Sequence, residues 1–297
     1  MISVILVNYN NADDTLSCIK SIRESVGVDY RIIVVDNASC DESINTLMRG
    51  NINNDFELIE AKENRGFSAG NNIGIKRSLE LGTDQILLLN NDTIIEKDTL
   101  KKLKDGLYKY PNCGLTIGKI YYESDHKRIW YAGGAFNRRL GKASHWHYME
   151  HDSLTGEKDT EVSFATGCCM CMCAEMVKQV GMLDESYFLY EEDVDYCLRI
   201  SEAGYKMYYI PEAIIYHKVS ASTGKTKGIV GYYTFRNKFK LVKKRLKKNE
   251  KITAYGFTIV QGLKECLTGK MRLSVFLKAF DSFIKDESGK TERIIQK

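Results

Sequence analysis

Residues able to do chemistry recur through the first hundred positions, each time directly after an apolar run. Asn8, Tyr9 and Asn10 follow ISVILV; Asp36, Asn37 and Ser39 follow RIIVV; Asn64 comes after FELIEA; Asn90, Asn91 and Asp92 follow QILLL. Amides and carboxylates at four such ends describe one polar cleft, able to hold a polar ligand or, through Asp92, a hard cation. Asn and Asp also make turns and caps, which explains any one of these sites better than all four. A second concentration, LDESYFLYEEDVDYCLR, sets Asp184, Glu185, Glu191, Glu192, Asp193 and Asp195 around Phe188, Leu189 and Tyr190. The apolar trio presses the acids against the body, and a carboxylate held near a cleft is a candidate general base. Glu192 and Asp195, three apart, share a helix face that Asp193 does not.

Other reactive types read less sharply. His217 ends a strand-like run and is a metal-ligand candidate if Asp92 lies nearby. His145 and His147 flank Trp146 in a polar loop, 137–160, better suited to gripping a polar substrate than to binding metal. Cys169, Cys171 and Cys173 alternate with Met170 and Met172, so they share one strand face and read as core packing. Gly66, Gly70 and Gly74 stand four apart after the third apolar run, whereas a nicotinamide fingerprint is G-x-G-x-x-G after the first. That spacing argues against a nicotinamide oxidoreductase and for a helix lying close to a neighbour or ligand.

The elements that must position these groups alternate. Strands are expected at 2–7, 31–36, 56–61 and 85–90, with helices between them, including 68–81, and after them at 96–109. Such repeats predict an α/β fold with a doubly wound, mostly parallel sheet whose ligands sit at the strands' carboxyl ends. Beyond 112, strand-like runs at 114–122, 128–136, 162–173 and 205–216 follow, and the chain reads as helical from Gly231.

Composition sets outer limits. With 297 residues, 28% of them charged, no apolar stretch is long enough to span a membrane. The N-terminus lacks the features of a secretory signal, and the nine cysteines lack disulfide or zinc spacing, so a cytoplasmic protein is expected. Charge is divided: residues 1–219 hold 24 Lys and Arg against 33 acids, and 220–297 hold 19 against 6. The acidic body and basic tail are therefore expected to meet different partners. Within the tail, 236–251 carries nine Lys and Arg, with Phe239, Leu241, Val242 and Leu246 interspersed. A basic amphipathic helix of this kind suits an anionic membrane surface on the inner face of a cell. A solvated helix packed on the body is the alternative. No nucleic-acid-binding module is recognisable.

Taken in order, ILVNYN, VVDNAS, ENRGFSAGNNIGI, LLLNNDT, ATGCCM and LDESYFLYEEDVDYCLRISEAGY resemble the family 2 glycosyltransferases of the GT-A fold. The likeness is to their rhamnosyltransferase-like bacterial branch. It implies a catalytic domain over 1–222, with a nucleotide-sugar half (1–112) and an acceptor half (113–222), and a helical extension over 223–297. It also implies inverting transfer of a sugar from a nucleotide-sugar, dTDP-rhamnose or a UDP-hexose, to a glycan or lipid-linked acceptor in surface polysaccharide synthesis.

The resemblance assigns Asp36 to base and ribose binding, with Asn8 and Asn10 beside it. It assigns the segment Asn64, Gly70 and Asn72 to the nucleotide pocket, and Asn90-Asn91-Asp92 to the D-x-D position. Asp92 and His217 would hold Mn2+ or Mg2+, Asp193 would be the base, and Glu192 would contact acceptor. Trp130, Gly133 and Gly134 fall in the region expected to choose the acceptor. Asn90 replaces the first aspartate of D-x-D, leaving one carboxylate fewer for the cation. Two other readings stay open: a sugar nucleotidyltransferase, for which the first strand lacks a glycine-rich phosphate loop, and a non-catalytic binding protein on the same scaffold.

Overall fold

The computed structural model describes residues 1–219 and 227–291. The four expected N-terminal strands form: β1 (Ile2–Asn8), β2 (Tyr30–Asp36), β3 (Phe56–Glu60) and β4 (Gln85–Leu89) pair in parallel in the order β4-β1-β2-β3. Their continuous Ile, Leu and Val runs follow from burial on both faces. The helices α1 (Ala12–Arg23), α2 (Ser43–Gly50) and α3 (Phe67–Glu80) connect them. α3 lies close on the sheet because it carries glycine: a Cβ on Gly74 would stand 2.4 Å from Ile5, and one on Gly70 2.8 Å from Val7.

After β4 the chain adds β5 (Thr93–Ile95), α4 (Thr99–Lys109), β6 (Cys113–Tyr122) and β7 (Asp125–Tyr131). A small hairpin, β8 (Gly134–Asn137) with β9 (Lys142–His145), leads to β10 (Thr160–Val162) and β11 (Cys169–Cys173). Then come α5 (Ala174–Val180), α6 (Glu192–Glu202) and β12 (Lys206–His217). β11 runs antiparallel between β4 and β6 and joins the two halves into a mixed ten-stranded sheet.

Two expected runs break in two. The stretch 128–136 divides at Gly133, whose φ of +95° turns the chain out of the sheet. The stretch 162–173 divides because its ends pair with different strands, β10 with β12 and β11 with β4. The cysteines of β11 are free, and Cys169 and Cys171 are buried in the core, as alternation with methionine predicts.

The tail forms three helices, α7 (Lys227–Arg245), α8 (Lys248–Leu267) and α9 (Leu273–Ile284); the boundary expected at 222/223 lies outside the described residues. Two expectations about the tail are corrected here. Phe235, Phe239, Leu241, Val242 and Leu246 of α7 are all buried, so the segment 236–251 has no apolar face left for a membrane. The cations of α7 also meet the acids of the body rather than a separate partner. Lys244 reaches Asp184 at 2.6 Å, Arg245 reaches Asp195 at 2.7 Å, and Lys240 donates to the Ser186 carbonyl. The opposite charges in these contacts are partly desolvated, which strengthens each pair.

Candidate active site

The carboxyl ends of β1, β2 and β4 open into a cleft of about 870 Å3. Asn10, Asn64, Asn90, Asn91 and Asp92 line it, so these five sequence-predicted residues are brought together. Asn10 sits at φ +53° and is fixed by accepting the Cys40 amide, while Asn91 donates to Thr15 at 2.8 Å. Asn64 accepts from the Gly66 amide and from Asn37. Opposite them, Phe67, Phe188 and Leu189 give an apolar wall.

At one corner, Asp92 and His217 converge. His217 Nε2 lies 3.1 Å from Asp92 Oδ1, and Asn90 Nδ2 lies 3.5 Å from the same nitrogen. Antiparallel pairing of β5 with the end of β12 brings the Asp92 turn beside His217, and the edge of Trp130 packs on the imidazole at 4.8 Å. Both side chains are almost buried, at 12% and 7% exposure. A hard cation fits this donor set, because it can take the place of the proton that carboxylate and imidazole now share. Among the described residues no three His, Cys, Asp or Glu side chains cluster, so phosphate oxygens and water would complete the shell.

Several assigned residues lie behind the walls instead. Asp36 is fully buried, accepts from Asn8, the Ser39 amide and the Ser39 hydroxyl, and is not among the residues that line the cleft. Asn8 is likewise spent on Asp36 and Thr15, and its neighbour Asn37 lines the cleft in place of Asp36. Gly70 serves the approach of α3 to Val7. Asn72 points away, bonding both backbone groups of Leu183 and the Glu185 carboxylate; Asn71 faces the cleft.

Gly133 and Gly134 press on Trp146 and Phe164, and a Cβ on Gly133 would meet the indole at 2.3 Å. His145 is no surface grip: it stacks on Phe164 and bonds the Trp130 carbonyl, and burial lowers its pKa. Sequence reasoning missed Asn11, Asp14, Asn71 and Lys290 in the wall. Asn11 and Asn71 stand beside residues already singled out, and Asp14 lies in the first turn of α1 just beyond them. Lys290 had no local signal, since the segment after α9 reaches the cleft only through tertiary contacts such as Gly289 to Ser186.

The acidic loop is pinned from both sides. On the cleft side, the Phe67 amide donates to the Phe188 carbonyl at 3.0 Å, and Gly66, at φ +95°, leaves room for that carbonyl; a Cβ there would sit 2.1 Å from it. On the other side, Asn237 of α7 donates to the carbonyls of Leu189 and Tyr190. Tyr190 and Glu191 both adopt positive φ, at 70° and 71°, and this backbone costs energy outside glycine. The Asn237 bonds and the packing of Phe188 on Tyr233 hold it.

Asp193 Oδ2 accepts from the Gly167 amide at 3.0 Å and Oδ1 from the Val194 amide at 2.8 Å. Glu192 is buried, and its Oε2 has no partner. Burial raises both carboxyls, and repulsion from Asp193 and its acidic neighbours lifts Glu192 further, well above the ordinary range. The two backbone donors favour the anion on Asp193, so the pair keeps its proton on Glu192. Glu192 is therefore buried as a neutral acid and is not among the residues that line the cleft.

Burial also raises Glu191, from 4.5 to about 7. The folded chain then holds a proton that the unfolded chain has lost between those two values, so stability falls as pH rises through that window. The expected loss is about 3 kcal/mol. Urea denaturation across pH 4.5–7 checks this. Glu191→Gln should flatten the slope, and an equal slope in the variant would remove Glu191 as its source.

A parallel sheet with a polar, cation-capable cleft at its carboxyl ends and a carboxylate loop beside it defines the GT-A class. Solved structures share the fold: GalNAc-T7 with UDP, GalNAc and Mn2+ (TM-score 0.68, 15% identity, 96% of this chain and 56% of that one). A mannosyltransferase from Pyrobaculum calidifontis in complex with GDP-Man and Mn2+ is similar too (TM-score 0.62, 15% identity, 97% and 88%). The family model "Glycosyl transferase family 2" matches residues 3–181, and the chain belongs to that family.

Among named relatives, a low-salt glycan biosynthesis hexosyltransferase of Haloferax volcanii is 29% identical over 67% of this chain; the match spans only 61% of that protein. A dTDP-rhamnosyl transferase of Shigella flexneri is 26% identical over 82% of this chain and 80% of its own length. An N-acetylglucosaminyl-diphospho-decaprenol L-rhamnosyltransferase of Mycobacterium tuberculosis is 22% identical over 76% and 78%.

Proposed function

We propose that this chain transfers a sugar, with inversion, from dTDP-rhamnose or a UDP-hexose to a hydroxyl of a glycan or lipid-linked acceptor, in the building of a bacterial surface polysaccharide. The observation that carries the reading is the convergence of Asp92, which lines the polar cleft, with His217 beside it. Those two would hold Mn2+ or Mg2+, which when bound neutralises the charge growing on a departing nucleoside diphosphate. Asp193, kept anionic by two backbone amides, takes the proton of the attacking hydroxyl. Attack from the face opposite the leaving group inverts the anomeric centre and needs no protein nucleophile. The names of the Shigella and Mycobacterium relatives support a deoxyhexose donor, and the latter a lipid-linked acceptor. Among the described residues no helix is long and apolar enough to cross a membrane. The reading places the reaction in the cytoplasm, at the inner membrane surface.

The test is thermal stability against UDP, dTDP, GDP, CDP and NAD, with and without Mn2+ or Mg2+. A nucleotide at a hundred times its dissociation constant stabilises by about 2.7 kcal/mol. Stabilisation by one pyrimidine diphosphate, greater with metal and lost in Asp92→Ala, is expected. Silence with every nucleotide would favour a binding protein that has lost catalysis.

A further inference from the structure

α8 and α9 together keep an apolar face that nothing in the described chain covers. On α8, Ile252, Ile259, Leu263 and Leu267 recur at helical spacing along one side; on α9, Leu273, Leu277, Phe280 and Ile284 do the same. Leu267 is 89% exposed, Ile252 78%, Ile284 64% and Leu277 56%. With Val260, these make up half of the exposed large apolar side chains among the described residues, gathered between 252 and 284. Scattered surface leucines need no explanation, but a contiguous set does.

The two stripes face the same way. Tyr255 packs on Phe283 at 6.0 Å, and a Cβ on Gly262 would touch the Phe276 ring. Contacts that move down one helix as they move up the other define an antiparallel pair. Each apolar stripe lies about a quarter-turn from this contact line, in the same rotational sense on both helices. In an antiparallel pair that puts both stripes on one side. The opposite side rests on α7, where Tyr232 bonds Ser282 and Lys238 bonds Gln261.

Charge selects the occupant. From 248 to 285 the hairpin holds seven Lys and Arg against three acids. Of the acids, Glu250 is engaged by Arg138 and Asp281 by Lys285. Lys264, Lys270, Arg272 and Lys278 are exposed on the flanks and at the turn. A second copy of the chain would set the same cations against each other. An anionic bilayer accepts both features at once: headgroups pair with the lysines while the apolar stripes enter the acyl boundary.

We propose that the exposed face of the α8–α9 hairpin docks this protein on an anionic membrane surface, lying in the interface rather than crossing it. The surface would sit one helix away from the acidic loop, since α7 carries Asn237 to the carbonyls of Leu189 and Tyr190. Docking depends on the hairpin and not on the transfer reaction, so vesicle binding and nucleotide binding succeed or fail separately.

The experiment is co-sedimentation of the full chain with phosphatidylglycerol-containing vesicles and with pure phosphatidylcholine vesicles. Binding to the anionic vesicles only, and weaker binding in salt, is the expected result. Leu263→Glu with Leu277→Glu should lower it by roughly tenfold or more, at an unchanged melting midpoint because both side chains are exposed. Arg272→Glu should weaken it through charge alone. Absence of binding to anionic vesicles overturns the proposal, as does equal binding by the double variant. So does a stable dimer in solution that the same double variant splits, which would make a second copy the occupant.

Discussion

Asp193→Asn is expected to lower turnover by about 10²–10⁴-fold, the usual contribution of a positioned general base, and to leave nucleotide affinity unchanged. The carboxylate is held by the Gly167 and Val194 amides, one to each oxygen. An amide can accept from only one of them, so a stability loss of about 1–2 kcal/mol should accompany the substitution. Nucleotide-induced stabilisation, measured on the variant, separates loss of the base from loss of the fold. Glu192→Gln is the matched control. Glu192 is buried with its proton on, and Gln reproduces a neutral side chain of that shape. Its turnover should stay within about tenfold of the parent, since no charge is removed. A Glu192→Gln variant as dead as Asp193→Asn would transfer the base role to the glutamate.

Asp195→Asn is expected to destabilise the chain by about 3 kcal/mol, with a melting midpoint lower by several degrees. Asp195 is fully buried and is held by Arg199 at 3.0 Å, Arg245 at 2.7 Å and Tyr187 at 3.3 Å. Neutralising it removes the carboxylate from two guanidinium groups: Arg199, which keeps the Val180 and Met182 carbonyls, and Arg245 at the end of α7. Because Arg199 and Arg245 keep some exposure, the loss should fall at the lower end for a broken buried pair. Arg245→Met, which leaves Asp195 its bond to Arg199, should cost less. Equal melting midpoints for parent and Asp195→Asn would show that the cluster adds nothing to folding.

The sheet was legible because buried parallel strands write themselves as unbroken Ile, Leu and Val runs, each stopped by amides and acids. Those stops marked the cleft correctly at Asn10, Asn64 and Asn90 to Asp92. What the pattern could not resolve is which of two adjacent polar residues looks outward. Asp36 and Asn37 differ by one position, as do Asn71 and Asn72, and in both pairs the assigned member faces the interior. Side-chain alternation fixes that choice only once register and neighbours are known.

The tail was misjudged for a related reason. Basic residues at helical spacing look the same in sequence whether they meet lipid headgroups or the acids of 184–195. The partners lie fifty to sixty residues away, as with Arg245 and Asp195 or Lys244 and Asp184, and no local periodicity encodes them. The apolar stripes that stay at the surface lie instead on α8 and α9, which are less basic than 236–251.

The close contact between Gly66 and Phe188 joins two stretches more than a hundred residues apart. For an engineer who wishes to exchange donor preference by grafting the loop after β3, that contact makes the graft a two-part operation. Any side chain at position 66 collides with the carbonyl of 188, and a graft that moves 188 drags the loop bearing Asp193 with it. Under the proposed function, donor recognition and proton removal would therefore form a single structural module. Compatible replacements should be sought as paired segments taken from one parent, not assembled from two.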